Sequence, residues 1–162
     1  MSLLRRAVLV AAIGWALLLP LAPFAAYRTP PARAWYALAF LIYSVGSVVC
    51  HQLPARSFEL WSTQMPVCAR CTGIYLGAAV MAILSLFRLG PDWSRPSLDA
   101  RHSRYALAAA ALPTAVTLAF EWITGNVPSN LIRAVSGVPL GAVVVIVILS
   151  ALDERPRVAR TV

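Results

Sequence analysis

The chain has 162 residues, of which 60% are hydrophobic and 12% are charged, and its mean hydropathy is +0.74. Soluble domains carry about 25% charged residues, so this composition excludes a soluble globular fold. The net charge of +8 comes from 14 arginines without any lysine, and no basic face has interleaved aromatic residues. This pattern argues against nucleic acid as a partner and favours the lipid bilayer.

Five apolar blocks predict five helices that enter the membrane, at about 7–26, 34–53, 70–88, 105–123 and 134–152. A bilayer core of about 30 Å requires about 20 helical residues, which the first, fourth and fifth blocks provide. The second and third apolar blocks cover only Ala34–Val49 and Thr72–Phe87, so the predicted spans 34–53 and 70–88 include residues from the segment between them. The fold class is an all-α polytopic transmembrane helix bundle of four to five spans. It forms one domain over residues 1–152, followed by a charged, flexible tail at 153–162.

The first block has a second interpretation. Arg5 and Arg6, the apolar run and the small residues that end at Ala26 are typical of a cleaved signal peptide. If the block is retained as a helix, we expect Pro20 and Pro23 to kink or end it. The sequence leaves both alternatives open.

The arginines predict an orientation. With five spans, the N-terminus shares one side of the membrane with the loops 50–71 and 124–133. That side carries five arginines and the opposite side carries nine, which favours the second side as cytoplasmic. We therefore expect a multi-pass protein of a prokaryotic inner membrane, with the loop 50–71 outside the cytoplasm. Arg5 and Arg6 alone favour the reverse orientation, but the two loops share a face in either case.

All three cysteines and one of the two histidines lie between the second and third blocks: Cys50, His51, Cys68 and Cys71. Cys68 and Cys71 are three residues apart, so one turn places both sulfurs on the same side. Cysteine and histidine are the preferred ligands of zinc, and these four residues predict a zinc site. Neighbours in a helix diverge by about 100°, so either the helix unwinds between Cys50 and His51 or only one of them is a ligand.

Two other interpretations of the cysteines remain open. Cys68 and Cys71 could cycle between thiols and a disulfide, with Cys50 as a relay, in a membrane thiol–disulfide oxidoreductase. Alternatively, the cysteines could be a structural element in an accessory subunit or small transporter. A membrane-protein partner or a homo-oligomer is compatible with each interpretation. Haem c attachment is excluded because Thr72 follows Cys71, and there is no nucleotide or flavin motif.

Five polar residues are further candidates for the site: Arg56, Arg70, Glu121, Asn130 and Arg133. Arg56 suits either a phosphate or carboxylate ligand or the membrane interface, and Arg70 adds positive charge beside the cysteines. Glu121 lies near the end of an apolar helix, where a charge requires a partner, and Arg133 is the expected one. That pair serves either proton transfer and substrate contact or a structural ion pair. Asn126, Ser129 and Asn130 are suited to cap the fifth helix.

Two pairs of glycines have a spacing of four residues, Gly73 with Gly77 and Gly137 with Gly141. On a membrane helix this spacing allows a neighbouring helix to approach closely. We therefore expect the third and fifth helices to use these faces for packing.

The runs Cys50–Gln52, Arg56–Phe58 and Pro66–Tyr75 together resemble the signature of a family of small prokaryotic membrane proteins, the domain of unknown function 2085. Ser129–Arg133, followed by Gly137, is similar to the family's second signature. In the family an acid, usually Asp before Gly, ends the preceding helix, and Glu121 before Trp122 stands there in this chain. The resemblance covers about residues 35–150. It implies a polytopic fold with a Cys/His site on one face and supplies no established reaction.

Overall fold

The computed structural model describes residues 3–28, 33–87 and 100–158. Within them, the chain forms five helices: α1 (Leu3–Tyr27), α2 (Arg33–Val49), α3 (Ala69–Leu86), α4 (Ala100–Thr124) and α5 (Asn130–Val158). A 3₁₀ turn at Pro54–Arg56 leads into an antiparallel hairpin of β1 (Ser57–Leu60) and β2 (Thr63–Cys68). The predicted all-α membrane class is confirmed, whereas the sequence did not predict the hairpin.

Four helices are long and apolar enough to cross a bilayer: α1, α3, α4 over Arg101–Thr124 and α5 over Asn130–Leu152. By contrast, α2 has only 17 residues. A helix of that length is about 25 Å long, which is shorter than the bilayer core of about 30 Å.

The structure corrects the predicted second span at 34–53. Helix α2 stops at Val49, Gln52 has a positive φ of 49°, and Pro54 opens the 3₁₀ turn. A left-handed backbone interrupts a helix, and the residue before a proline is disfavoured in the helical region. The segment 50–68 therefore does not lengthen α2 or α3 but forms the turn and hairpin instead.

The first helix ends within one residue of its predicted end at 26, whereas the last helix extends beyond its predicted end at 152. Helix α1 continues through Pro20 and Pro23 to Tyr27, because neighbouring elements can satisfy the freed carbonyl groups of a membrane helix. Helix α5 continues to Val158, so it includes the first six residues of the predicted flexible tail at 153–162. Residues 159–162 lie outside the described residues.

Helices α3 and α5 run parallel along a seam of glycines. An added Cβ at Gly73 would overlap the carbonyl oxygen of Ala134, and one at Gly77 would overlap that of Val138. Both partners advance by four residues in the same direction, so the two helices are parallel. Their backbones touch where the sequence predicted close packing.

Helix α1 runs antiparallel to α3. Leu9 lies in a buried cluster with Ala82 near the end of α3, whereas Leu19 packs with Cys68 at its beginning. Helix α4 is in turn antiparallel to α5, because Thr114 Oγ1 donates to the carbonyl of Ser136 while Glu121 binds Arg133. The start of α1 therefore lies at the end of the bundle where α3 and α5 finish.

This packing shows that the expected position of the N-terminus was wrong. The hairpin, the end of α4 and the start of α5 share one end of the bundle, which we call the site end. The start of α1 lies at the opposite end. The prediction failed because α2 was counted as a span. Trp35 of α2 and Trp61 of the hairpin both contact Phe24 near the end of α1, with ring centroids 6.2 and 5.3 Å away. Because α2 and the hairpin return to the level where they began, they add no net crossing of the bundle.

Candidate functional site

The sulfurs of Cys50, Cys68 and Cys71 lie within 4.8 Å of one another, and all three residues are free thiols. Cys50 directly follows α2, Cys68 ends β2 and is the N-cap of α3, and Cys71 lies in the first turn of α3. The backbone amide of Cys68 donates a hydrogen bond to the sulfur of Cys50 at 3.1 Å. Three segments of the chain thus form one cysteine cluster.

Apolar side chains surround the cysteine cluster: Trp15, Leu19, Met65, Val67 and Tyr75. Cys50 and Cys68 are 9% and 5% exposed. Burial of this kind disfavours an ionised thiol. The pKa of the Cys68 thiol is nevertheless lowered to about 5, chiefly because the side chain of Cys71 forms a hydrogen bond with it, which outweighs the effect of burial.

His51 lies outside this group of sulfurs. Its side chain is exposed, and its Nδ1 accepts a hydrogen bond from the backbone amide of Leu53 at 3.0 Å. Helix α2 ends at Val49, so Cys50 and His51 both follow the helix, which agrees with the first of the two alternatives for this adjacent pair. Metal ligation by His51 stays a prediction.

Gln52 attaches the hairpin to α2. Its side-chain Nε2 donates to the backbone carbonyls of Tyr43 and Pro66, both at 2.8 Å. The backbone carbonyl of Gln52 accepts a hydrogen bond from Nε2 of Gln64 at 2.6 Å. The hydroxyl of Tyr43 donates to the carbonyl of Gln64. These bonds hold the strand that ends in Cys68 against α2. The only signal in the sequence was the position of Gln52 within the Cys-His-Gln run.

A second polar group, the arginine cluster, surrounds Glu121 of α4. Nη2 of Arg70 and Nε of Arg133 each donate to Oε1 of Glu121 at 3.0 Å, and Nη1 of Arg56 lies 3.4 Å from Oε2. Glu121 is 5% exposed and Arg133 is 1% exposed. The predicted pairing of Glu121 with Arg133 is present, and the structure adds two further arginines from the 3₁₀ turn and α3.

Asn130 connects the arginine cluster to the hairpin. Its Oδ1 accepts from Nη1 of Arg133 at 3.4 Å, and its Nδ2 donates to the carbonyl of Ser57 at 2.9 Å. Ser57 pairs with Cys68 in the hairpin register. The structure therefore brings together the five polar candidates of the sequence and joins them to the cysteine cluster through β1.

The sequence-based predictions did not include a row of hydroxyl groups on α4. Thr117 accepts a hydrogen bond from Nη2 of Arg70 at 3.2 Å, and its Oγ1 lies 3.4 Å from the hydroxyl of Ser136. Thr114, Thr117 and Glu121 follow a spacing of three and four residues, which places them on one helical face. This polar stripe on an otherwise apolar helix was the signal that could have identified them.

Apolar helices with a cysteine cluster and a buried ion cluster at one end define a multi-pass helical membrane protein. Residues 50–147 match the model of the family described as predicted membrane protein (DUF2085). The chain belongs to this family, which confirms the resemblance seen in the sequence. The matched region begins at Cys50 and contains both clusters.

Two relatives come from archaea. The chain is 34% identical over 135 residues to an uncharacterised protein of Methanocaldococcus jannaschii, with 83% of each chain covered. It is 57% identical over 30 residues to an uncharacterised protein of Methanothermobacter thermautotrophicus, which covers 18% of this chain and 27% of the relative. No solved structure matches the chain.

Proposed function

We propose that this integral membrane protein binds a zinc ion through Cys50, Cys68 and Cys71. The observation that carries the proposal is the convergence of three free thiols, from three segments of the chain, within 4.8 Å. Zinc–sulfur bonds of about 2.3 Å place tetrahedral ligands roughly 3.8 Å apart, so the sulfurs need to close by only about 1 Å. A divalent cation would also balance the negative charge of thiolates that are buried among apolar side chains.

The fourth ligand determines what the zinc does. His51 follows Cys50 directly, and its imidazole would close the coordination sphere and make the site structural. Water in the fourth position would instead give the open geometry of hydrolytic zinc sites. We propose His51 as the fourth ligand because it is the exposed donor adjacent to the cysteine cluster in sequence.

Metal analysis of the full chain, purified in mild detergent under reducing conditions, tests the zinc site. We expect about one zinc per chain, with thiols that resist alkylation until a chelator removes the metal. Cys50→Ser should abolish zinc retention. A protein without metal, in which Cys68 and Cys71 form a reducible disulfide, would contradict the proposal and favour a thiol–disulfide oxidoreductase.

A matched pair of histidine variants tests the fourth ligand. His51→Ala should weaken zinc affinity by at least about tenfold, as the loss of a metal contact does. His102→Ala serves as the control because His102 is exposed on α4 at the opposite end of the bundle. Equal affinities of the two variants would rule out His51 as a ligand.

We also propose that the site end faces away from the cytoplasm of a prokaryotic inner membrane. Five arginines lie at the site end or in adjoining segments by sequence: Arg28, Arg33, Arg56, Arg70 and Arg133. Of the other nine, Arg5, Arg6, Arg101 and Arg104 lie at the opposite end of the bundle, and the rest fall in the sequence between α3 and α4 or after Leu152. Excess arginine marks the cytoplasmic side, and with the observed packing the N-terminal pair no longer conflicts with the remaining arginines.

A further inference from the structure

The arginine cluster holds more positive charge than its single carboxylate balances. The guanidinium groups of Arg56, Arg70 and Arg133 lie within 3.4 Å of Glu121, so three positive charges and one negative charge leave a formal excess of two. The side chains of Arg70 and Arg133 are only 12% and 2% exposed. Excess charge at such buried positions is costly unless an anion accompanies it.

Two N–H groups of the cluster lack an acceptor among the described residues. They are Nη2 of Arg133 and Nε of Arg70, and both atoms are buried. Native proteins satisfy nearly all buried donors, so each unpaired one requires an explanation. Oε2 of Glu121 is also buried without a hydrogen bond, although Nη1 of Arg56 lies 3.4 Å from it. The excess of two positive charges remains whichever of these atoms pair, so the unpaired donors and the charge together favour an anion as a further acceptor.

We propose that Arg56, Arg70 and Arg133, held in place by Glu121, form a binding site for a phosphate monoester or free phosphate. Such a group has three acceptor oxygens and a charge of about −1.5 to −2 at pH 7. That charge matches the excess of two, whereas one carboxylate would balance only half of it. Guanidinium groups also match phosphate oxygens in geometry.

The position of the cluster is compatible with two sources of this chemistry. It lies at the site end of α3, α4 and α5, where bilayer headgroups are expected if these helices span the membrane, so the phosphate of phosphatidic acid could reach it. Soluble phosphate could enter from the aqueous side. Arg56, whose side chain is 34% exposed, is the member of the cluster through which either ligand would gain access.

Arg56→Gln is the appropriate test because a partly exposed side chain can be changed without leaving a buried cavity. The full chain in detergent is titrated with inorganic phosphate, and separately with phosphatidic acid in mixed micelles, at constant ionic strength set with potassium chloride. Binding is measured by calorimetry and by the shift of the thermal unfolding midpoint. We expect the wild type to bind at least one of the two probes and Arg56→Gln to bind it about tenfold more weakly.

Arg104→Gln is the matched control, because Arg104 is an exposed arginine of α4 at the opposite end of the bundle. It should bind the probe as the wild type does. A response to phosphatidic acid alone identifies a lipid ligand, and a response to inorganic phosphate identifies a soluble one. Binding of neither probe by the wild type, or an equal response in all three proteins, would overturn the proposal.

Discussion

At the scale of single residues, Glu121 is the carboxylate that pairs with all three arginines of the cluster. It is 5% exposed and receives two hydrogen bonds at 3.0 Å, from Arg70 and Arg133. Without the carboxylate, these guanidinium groups would face one another in the bundle. We therefore expect the carboxylate to stabilise the cluster, whatever ligand the arginines bind.

Glu121→Gln should destabilise the protein by about 3 kcal/mol, because removing one partner of a buried ion pair leaves uncompensated charge. The measurement is the free energy of unfolding in detergent, together with the yield of folded protein. Glu59→Gln is the control, since Glu59 is exposed on β1 and its change should remain within about 0.5 kcal/mol. Equal stabilities of the two variants would show that Glu121 is not required.

The sequence predicted part of this residue network for a physical reason. A charge near the end of an apolar helix requires a partner, which made Arg133 the expected neighbour of Glu121. The position of Arg70 beside Cys71 suggested a role in thiol chemistry instead. Its side chain bonds to Thr117 and Glu121, which are about fifty residues later in the chain, and no local pattern reveals a contact of that range.

At the scale of elements, the hairpin is the part of the fold that the sequence pattern did not predict. Strand β2 is buried at four consecutive positions, so it lacks the alternation that identifies a half-exposed strand. Its fit against α2 depends on Gly46, where an added Cβ would overlap the carbonyl oxygen of Pro66. The helices were predictable because their apolar blocks are long, whereas the hairpin is defined by contacts with α1 and α2.

The seam between α3 and α5 yields a sharp prediction at the same scale. Gly77→Ala should destabilise the protein by about 1–3 kcal/mol, because its new methyl group would overlap the carbonyl of Val138. Gly14→Ala is the control: nothing lies within 4 Å of a Cβ added at Gly14 of α1. Alanine is the better helix former, so that variant should be neutral or more stable by up to about 1 kcal/mol.

Unfolding measurements of the two alanine variants, made in the same detergent, check this prediction. Only Gly77→Ala is expected to lose stability, since the two substitutions are chemically identical and only their surroundings differ. A Gly77→Ala protein as stable as the wild type would mean that α3 and α5 are not in backbone contact. The seam fixes the register between Arg70 and Arg133, so the arginine cluster depends on it as well.

At the scale of the whole molecule, the direction of each helix was harder to predict than its existence. Counting five apolar blocks as five crossings placed the start of α1 at the site end. That count assumed that α2 spans the membrane, although its 17 residues are too few. The packing of Leu9 with Ala82, and of Leu19 with Cys68, reverses the assignment. Four crossings then place the start of α1 and the end of α5 on the same side.

Reporter fusions can decide between four and five crossings. A fluorescent protein fused before α1 and, in a second chain, after α5 should fluoresce in both cases, because both positions are expected in the cytoplasm. Alkaline phosphatase inserted at Asn126, between α4 and α5, should be active, since the site end is expected outside the cytoplasm. A five-span protein would place the two fusion points on opposite sides of the membrane, so only one would fluoresce. That result would contradict the observed packing of α1. If instead neither fluorescent fusion fluoresced and the phosphatase were inactive, the packing would stand, and only the orientation inferred from the arginines would be reversed.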